Sequence, residues 1–383
     1  MKILMFSYLP PVISGVANYT LSLCEELIKR GHSIEIISFH EKNKGEYEHS
    51  GIKVHGFPSF FNIADMYALD ALIYSQDVLK LVKKIKPDII HLHHRTSNIE
   101  FLMGQIKSEA KCPIVNTIHS AVGSLETFDL RDAVHFIHYK MISEEFKKYS
   151  NMVMSVSEFN KKHLVSHGLD SDKIKVIRNG VSSKKFEDVS KEEAKKVLGF
   201  EPEEKIILFV GRHLPEKGLD FLIPAFHELS KKHKKTKLVI VGEDALTFIY
   251  KHLASSNDNI IFPGRVPSKT LVNYYKAADI FVLPSVWHEP QATVLYEAMA
   301  AKLPIVATST GGTTELINEC KSGILIEPRS VDALIKGIEE LLSNGNLRKE
   351  LGENGYRHIS NNYTWDKIAE RVIEVYNSVL NKR

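Results

Sequence analysis

Short runs of β-branched and other apolar residues recur along the chain, separated by longer amphipathic segments, and few folds accommodate this alternation. KILMFS at 2–7, SIEIISF at 33–39, IIHLH at 89–93, IVNTI at 114–118, IILFV at 206–210, LVIV at 238–241 and IFVL at 280–283 are each four to seven residues long. Apolar at most positions, such runs suit strands covered on both faces, the condition of a parallel sheet whose crossovers are helices. The sequence therefore reads as α/β, built from repeated β-α units. Strands are expected at Lys2–Ser7, Ser33–Phe39, Ile52–His55, Ile89–His93, Ile114–Ile118, Met152–Val156 and Lys175–Ile177. A second set is expected at Ile206–Val210, Leu238–Val241, Ile260–Phe262, Ile280–Leu283, Ile305–Ala307 and Ile324–Ile326.

At 383 residues the chain exceeds one typical α/β domain, and two cores of about 150 to 200 residues each are expected. The polar segment from Asn179 to Lys205, with an Asn-Gly turn and a proline, separates the two strand-rich blocks. A boundary is placed there, giving domains of 1–183 and 184–364. After Tyr363-Thr364-Trp365, residues Ile368, Val372, Val375, Tyr376 and Val379 fall at helical spacing, which predicts one long terminal helix reaching Leu380. Two doubly wound domains facing a cleft result.

Apolar residues at 43% and charged residues at 25% exclude a disordered or fibrous chain, and a net charge of +3 gives no case for nucleic acid. Lysine clusters at 83–86 and 231–235 suit contact with acidic lipids, but the outer face of an amphipathic helix or the turn after it explains them as well. Cys24, Cys112 and Cys320 are widely spaced and form neither a disulfide framework nor a zinc set. A cytoplasmic location fits. No stretch approaches the ~20 apolar residues that span a bilayer, so membrane contact, if any, is expected to be peripheral, on the inner face.

Three turns at strand ends carry the candidate chemistry. Gly15 opens a helix after the first strand, where backbone amides and the positive dipole end attract a phosphate or sugar hydroxyl, although a plain strand-to-helix turn explains it equally. GRHLPEKG at 211–218 places Arg212 and Lys217 on either side of one turn at the carboxyl end of a strand. Two such cations suit a diphosphate: Arg forks across two oxygens and Lys supplies a mobile charge. The alternative is a pair of surface residues capping a turn. PSVWHEPQATVLYEAMA at 284–300 contains Glu289, then Pro290 at an expected first helical position, then Glu297 one to two turns inside. Fully helical spacing puts the two carboxylates about 12 Å apart along the axis, which fits an elongated ligand better than the roughly 5 to 9.5 Å of a glycosidase pair. One carboxylate would accept hexose hydroxyls and the other ribose hydroxyls, with amides of Gln291, Ala292 and Thr293 addressing phosphates. The alternative gives Glu297 a local ion pair and Glu289 a helix start. Gly311-Gly312 opens another helix, with Glu315 expected in its first turn, either on a ligand or complementing the dipole.

GRHLPEKG, HEPQATVLYEAMA and GGTTELI, in this order and spacing, resemble the family-4 group of retaining glycosyltransferases with the GT-B fold. PPVISGV at 10–16, NTIHS at 116–120, SVSEFN at 155–160, RNGV at 178–181 and YTWDKIAE at 363–370 extend the resemblance over nearly the whole chain. It implies two Rossmann-like domains, the first for acceptor and the second for nucleotide sugar, with the last helix returning to the first domain. It assigns Arg212 and Lys217 to the donor diphosphate, Glu297 to the ribose and Glu289 to the transferred sugar. His119 would approach that sugar, and Gly15, Val266, Gln291, Ala292 and Thr293 would line the donor. Hinge motion is expected near 180–186 and 360–366. The chain departs from the family at Ser14-Gly15, where two glycines are common, at Ser182, where Asp is common, and at Gln291-Ala292, where Phe-Gly is common. Ala292 adds a methyl group where backbone would meet the sugar.

HLHH at 91–94 resembles a metal cluster, but alternation along a strand lets only His91 and His93 converge. DSD at 170–172 reads as a turn in the wrong domain for a metal motif. No metal and no cofactor are expected. The expected reaction moves a hexosyl unit from a nucleotide diphosphate sugar, UDP before GDP or ADP, to a hydroxyl of a glycan or lipid-linked acceptor in cell-surface polysaccharide or glycolipid synthesis. Configuration would be retained, and the leaving diphosphate would help deprotonate the acceptor. Acceptor contacts are sought in GFPSFFNIADMY at 56–67 and SAVGSLETFDL at 120–130, although Phe57, Phe60 and Phe61 also suit buried packing. The rival functions are a nucleotide-sugar 2-epimerase of the same architecture and a non-catalytic carbohydrate-binding protein.

Overall fold

The computed structural model describes residues 1–9, 15–39, 45–58, 73–93, 99–119, 140 and 142–381. Met1–Asn179 with Trp365–Arg383 forms one compact unit and Gly180–Thr364 another. No helix among the described residues is long and apolar enough to cross a membrane.

The first unit is built on strands β1 (Lys2–Phe6), β2 (Ser33–Phe39), β3 (Gly45–His49), β4 (Ile52–Phe57), β5 (Ile89–His93), β6 (Ile114–Ile118), β7 (Met152–Ser155) and β8 (Ile174–Val176). They lie in the order β3-β4-β2-β1-β5-β6-β7-β8. All neighbours are parallel except β3 and β4, an antiparallel hairpin with His49 opposite Ile52. That hairpin departs from the expected all-parallel sheet. Its two-residue turn, Ser50 and Gly51, has positive φ at both positions (52° and 77°), the backbone twist that tight hairpins require. β3 carries Glu46 and Glu48 at the sheet edge, and Lys53 of β4 meets Glu46 at 3.0 Å, so charge protects an otherwise open edge.

The helix Trp365–Leu380 belongs to this first unit, packed on the helix Gly15–Lys29. Ile368, Ala369, Val372, Val375, Tyr376 and Val379 form its buried stripe. Burial of each large apolar side chain contributes about 1.5–3 kcal/mol, which is what recruits a segment so distant in sequence. Arg30 Nη2 adds a hydrogen bond to the Asp366 carbonyl at 3.0 Å.

The second unit carries β9 (Lys205–Val210), β10 (Thr236–Val241), β11 (Ile260–Gly264), β12 (Ile280–Leu283), β13 (Ile305–Thr308) and β14 (Gly323–Ile326), in the order β11-β10-β9-β12-β13-β14. Every neighbouring pair is parallel. Ile207, Phe209, Leu238, Ile240, Ile280 and Val282 face one core with Leu222, Phe226 and Leu229 of the helix Leu219–Lys232. At the end of that helix Lys231 and Lys232 pair with Glu228 and Glu339.

The polar segment 179–205 is no simple linker. It holds the helix Lys191–Leu198, opened by a capping box of Ser190 and Glu193 and closed by Gly199 in the left-handed region. Lys191 and Lys205 converge on the buried Asp279 at 2.8 and 3.2 Å, which locks the segment onto the second unit. Burial would raise the Asp279 pKa, but the charges of Lys191 and Lys205 and the Ile206 amide hold it below the usual value. The chain leaves the first unit after Asn179, slightly before the expected 183, and returns at Trp365. The two crossings run side by side: the Val181 amide donates to the Tyr363 carbonyl at 2.8 Å, and Val181 pairs in parallel with Thr364.

Each sheet has a point where the strand order reverses, between β1 and β5 in the first unit and between β9 and β12 in the second. Crevices at the carboxyl ends of strands beside such reversals are where open α/β sheets bind ligands.

Candidate functional site

At the carboxyl edge of the second sheet, glycines let neighbouring turns touch through their backbones. Gly242, after β10, has φ 127°, and a Cβ there would lie 1.9 Å from the Gly211 carbonyl oxygen. Gly218 has φ 72°, and a Cβ would lie 2.0 Å from the Pro284 oxygen. The Val286 amide donates to the Glu216 carbonyl at 2.9 Å, so the turn after β9 is braced on the segment after β12. Gly311, at φ 51°, would place a Cβ 2.3 Å from the Glu289 carbonyl oxygen, and the Gly312 amide donates to that same oxygen at 2.7 Å. Only residues lacking Cβ fit these contacts.

On this platform Lys217 and Glu289 meet as an ion pair across the β9–β12 reversal. Their side chains are 22% and 10% exposed, and Ser285 Oγ also donates to Glu289 Oε1 at 2.9 Å. Removing either partner of so enclosed a pair would leave an uncompensated charge. Arg212 pairs with a different carboxylate. Its Nε donates to Asp244 Oδ2 at 2.6 Å, and its side chain is 57% exposed. Burial would raise the Asp244 pKa, but the Arg212 hydrogen bond and the Ala245 amide pull it below the ordinary value.

The expected helix start is corrected. The helix runs Thr293–Ala300, with Ala292 as the residue before its first turn and Pro290 outside it. Glu289 is therefore held in a loop, and the helical estimate of its distance from Glu297 does not apply. Gln291 and Ala292 are both buried, and Gln291 Nε2 donates to the Tyr296 hydroxyl at 2.5 Å. Ala292 supplies no side-chain cap, which leaves the first-turn amides suited to an anion. Glu297 lies on the helix's second turn, and its Oε2 accepts from the Tyr275 hydroxyl at 2.8 Å. Withdrawal from water raises its pKa above the usual value, opposed by that hydrogen bond and by Lys185. Val266 lies just beyond β11, half-buried. Glu315 is also corrected: its helix, Gly311–Cys320, has no acidic residue in the first turn.

In the first unit Gly15 opens the helix Gly15–Lys29. Tyr19 of that helix sets its ring edge against His119, with centroids 4.7 Å apart, and against His93 and Trp365. His119, just past β6, shares a 3.0 Å hydrogen bond from its Nε2 to His93 Nδ1, the rings nearly parallel. His91 Nδ1 meets the Tyr376 hydroxyl and its Nε2 the Thr117 hydroxyl, each at 2.7 Å. Burial pulls the His91 pKa down to about 3 and that of His93 well below its usual value, so both are neutral near pH 7.

HLHH thus contributes two neutral rings with centroids 4.3 Å apart, each hydrogen-bonded to other side chains. His94 lies outside the described residues. Among the described residues no group of three or more His, Cys, Asp or Glu is placed to hold a metal ion. In DSD, Asp170 Oδ1 accepts from the Asp172 amide, a local turn in the first unit. Phe57 stacks on Phe39 at 5.4 Å. Phe60, Phe61 and the rest of 59–67, like 120–130, lie outside the described residues. Sequence reasoning missed Asp244, Ser285 and Tyr275. The signal for Asp244 was a carboxylate two residues after a glycine at a strand's carboxyl end.

Two family models divide the chain between them: "Glycosyltransferase Family 4" matches residues 13–185 and "Glycosyl transferases group 1" matches 190–358. An uncharacterised glycosyltransferase of Methanocaldococcus jannaschii is 32% identical over 396 residues, covering 98% of each chain. Sucrose-phosphate synthase from Thermosynechococcus elongatus has the same fold, with a TM-score of 0.88 at 20% identity over the whole of both chains. Anabaena Alr3699/HepE, solved in complex with UDP-glucose, gives a TM-score of 0.78 at 18% identity, covering 99% of this chain and 100% of its own. With matching models on both halves and a full-length relative at this identity, the chain belongs to glycosyltransferase family 4, with the GT-B fold.

Proposed function

We propose that this glycosyltransferase moves a hexosyl unit from a nucleotide diphosphate sugar, UDP-linked before GDP- or ADP-linked, to a hydroxyl of a glycan or lipid-linked acceptor. Configuration at the anomeric carbon is retained and no metal ion takes part. The observation that carries this reading is the Lys217–Glu289 ion pair at the strand-order reversal. A ligand bearing both phosphate and hydroxyl groups replaces that one pair with two interactions: phosphate oxygens on Lys217 and sugar hydroxyls donating to Glu289. As the bond to the sugar breaks, negative charge grows on the diphosphate. A cation already in place then stabilises the transition state more than the ground state. Glu297 takes the ribose hydroxyls, and the amides of Gln291, Ala292 and Thr293 add to the phosphate field. Val266 lines the donor at the end of β11, and the family resemblance assigns His119 and Gly15 of the first unit to the same donor. The leaving diphosphate accepts the acceptor's proton, so no enzyme nucleophile is required. The UDP-glucose bound by the structural neighbour supports UDP as the first donor to try.

A thermal-shift panel of UDP-, GDP- and ADP-sugars identifies the donor, because a ligand at 100 times its Kd adds about 2.7 kcal/mol of stability. Product NMR with that donor should show the donor's own anomeric configuration, and EDTA should leave the rate unchanged. An inverted product, or a rate restored only by a divalent cation, would overturn the mechanism.

A further inference from the structure

We propose that Asp244 is a positioning residue for Arg212, fixing the guanidinium by its Nε edge through a closed ring of contacts that returns to the chain at His213. The proposal rests on the reading that Arg212 binds the donor diphosphate.

A long, 57% exposed arginine has much rotamer entropy to lose when a ligand orders it, more than an isolated surface ion pair ordinarily recovers. Arg212 is not in an isolated pair. Asp244 Oδ2 accepts from its Nε at 2.6 Å, while Oδ1 accepts from the Ala245 amide at 2.7 Å. The backbone of Asp244 is held at both ends: its amide donates to Thr247 Oγ1, and its carbonyl accepts from that hydroxyl, each at 2.8 Å. His213 Nδ1 lies 2.9 Å from the same hydroxyl oxygen. A hydroxyl has one hydrogen. Given to the Asp244 carbonyl, it leaves Oγ1 to accept from the Asp244 amide and from Nδ1–H of a neutral His213. His213 is fully buried, edge-on to Phe262 at 5.9 Å and to Tyr250 at 6.4 Å. Its Nε2 has no hydrogen-bond partner among the described residues. The ring runs from Arg212 through Asp244, Thr247 and His213, and closes through the peptide bond between His213 and Arg212. It is anchored at its buried end.

Nε is also the guanidinium donor that a phosphate fork over Nη1 and Nη2 does not use. Asp244 can therefore hold Arg212 without competing for those two nitrogens. Electrostatics alone predicts the opposite, because a carboxylate near a phosphate site repels the ligand and its removal should tighten anion binding. The two accounts differ in sign.

Calorimetry with inorganic pyrophosphate as the probe separates them. Asp244→Asn should weaken pyrophosphate binding by about tenfold, and Asp244→Glu should recover part of the loss. Lysine has no Nε–H edge to be held, so adding Asp244→Asn to Arg212→Lys should change binding by less than about twofold. Tighter binding by Asp244→Asn, an equal loss in both backgrounds, or a loss that disappears when the variant is cooled well below a lowered Tm would each overturn the proposal. Pyrophosphate affinity unchanged by Arg212→Ala would instead overturn the donor role of Arg212 and leave the two failures distinguishable.

Discussion

The two units meet the same topological problem, and the described residues beside the two strand-order reversals differ in charge. Among the described residues, the groups beside the β1–β5 reversal are Tyr19, His93 and His119, with His91 behind them. The rings touch edge to face or stack, and burial keeps His91 and His93 uncharged. Beside the β9–β12 reversal stand Lys217, Glu289, Arg212 and Asp244, each in an ion pair. The scaffold supplies a crevice. The residues that follow each strand decide whether it presents charge to a charged ligand or oriented neutral donors and acceptors to an uncharged one. A field is useful where charge changes during the reaction, and shape with hydrogen bonding suffices where it does not.

The largest expected effect comes from breaking the charged crevice. Lys217→Ala should lower turnover by on the order of a hundredfold or more, read as kcat of donor cleavage, since it removes the cation beside which the leaving diphosphate's charge develops. The Arg212→Ala, Lys217→Ala double variant should fall further, and near-normal turnover in it would end the assignment of charge to this crevice. Next, Gly311→Ala should cost about 3 kcal/mol in chemical denaturation, the upper end of what backbone strain costs, because its Cβ would press on the Glu289 carbonyl. In the neutral crevice, Tyr376→Phe leaves His91 Nδ1 without its hydroxyl. It should cost about 1–2 kcal/mol while leaving donor affinity unchanged within about twofold. A comparable loss of donor affinity would mean that the His91–Tyr376 contact supports donor binding as well as stability.

Acidification gives the smallest and most selective comparison. His91 and His93 have folded pKa values depressed below their unfolded ones. As pH falls from about 6.5 toward about 3 for His91, the unfolded chain binds protons that the folded unit refuses. Stability therefore declines through that window. His32 adds to this in the first unit, and the second unit contains His213, shifted the same way by burial. Asp244 and Asp279 are also depressed, so their contribution persists above about 4 and disappears as pH drops through their lower folded values. Mild acid should loosen the first unit before the second. The chain's two tryptophans, Trp287 and Trp365, report one unit each: single-tryptophan variants should show Trp365 fluorescence responding at higher pH than Trp287.

Sheet strands were legible because continuous apolar runs are a strong signal, and Ile280–Leu283 emerged as expected to the residue. β3 was hidden because an exposed edge strand such as GEYEH is selected for charge and lacks an apolar run. The helix Lys191–Leu198 was hidden by KEEAKKVL, whose Val197 is 68% exposed. At the candidate site the residue types were readable but not their partners. Glu-Pro before an apolar run is a good helix start by local rules, yet Glu289 turns instead to Ser285 and Lys217, a demand set by tertiary contacts. Asp244 belongs to no spaced motif, and its pairing with Arg212 depends on β9 and β10 being neighbours.

The hydrogen bond between His91 and Tyr376 spans 285 residues of sequence, and the second unit, 180–364, lies entirely within that span. Translation therefore completes the two units in the reverse of the order in which it begins them. At about 5–20 residues per second, roughly 10–40 s pass between the appearance of the β8 region and that of the helix that seals it. Throughout that interval the part of the Gly15–Lys29 helix that packs on the last helix has no cover, while the contiguous second unit can fold as it emerges. Nascent-chain exposure is thus concentrated on one half of the molecule, and chaperones encountering this chain would meet its first-made surface as its last to close.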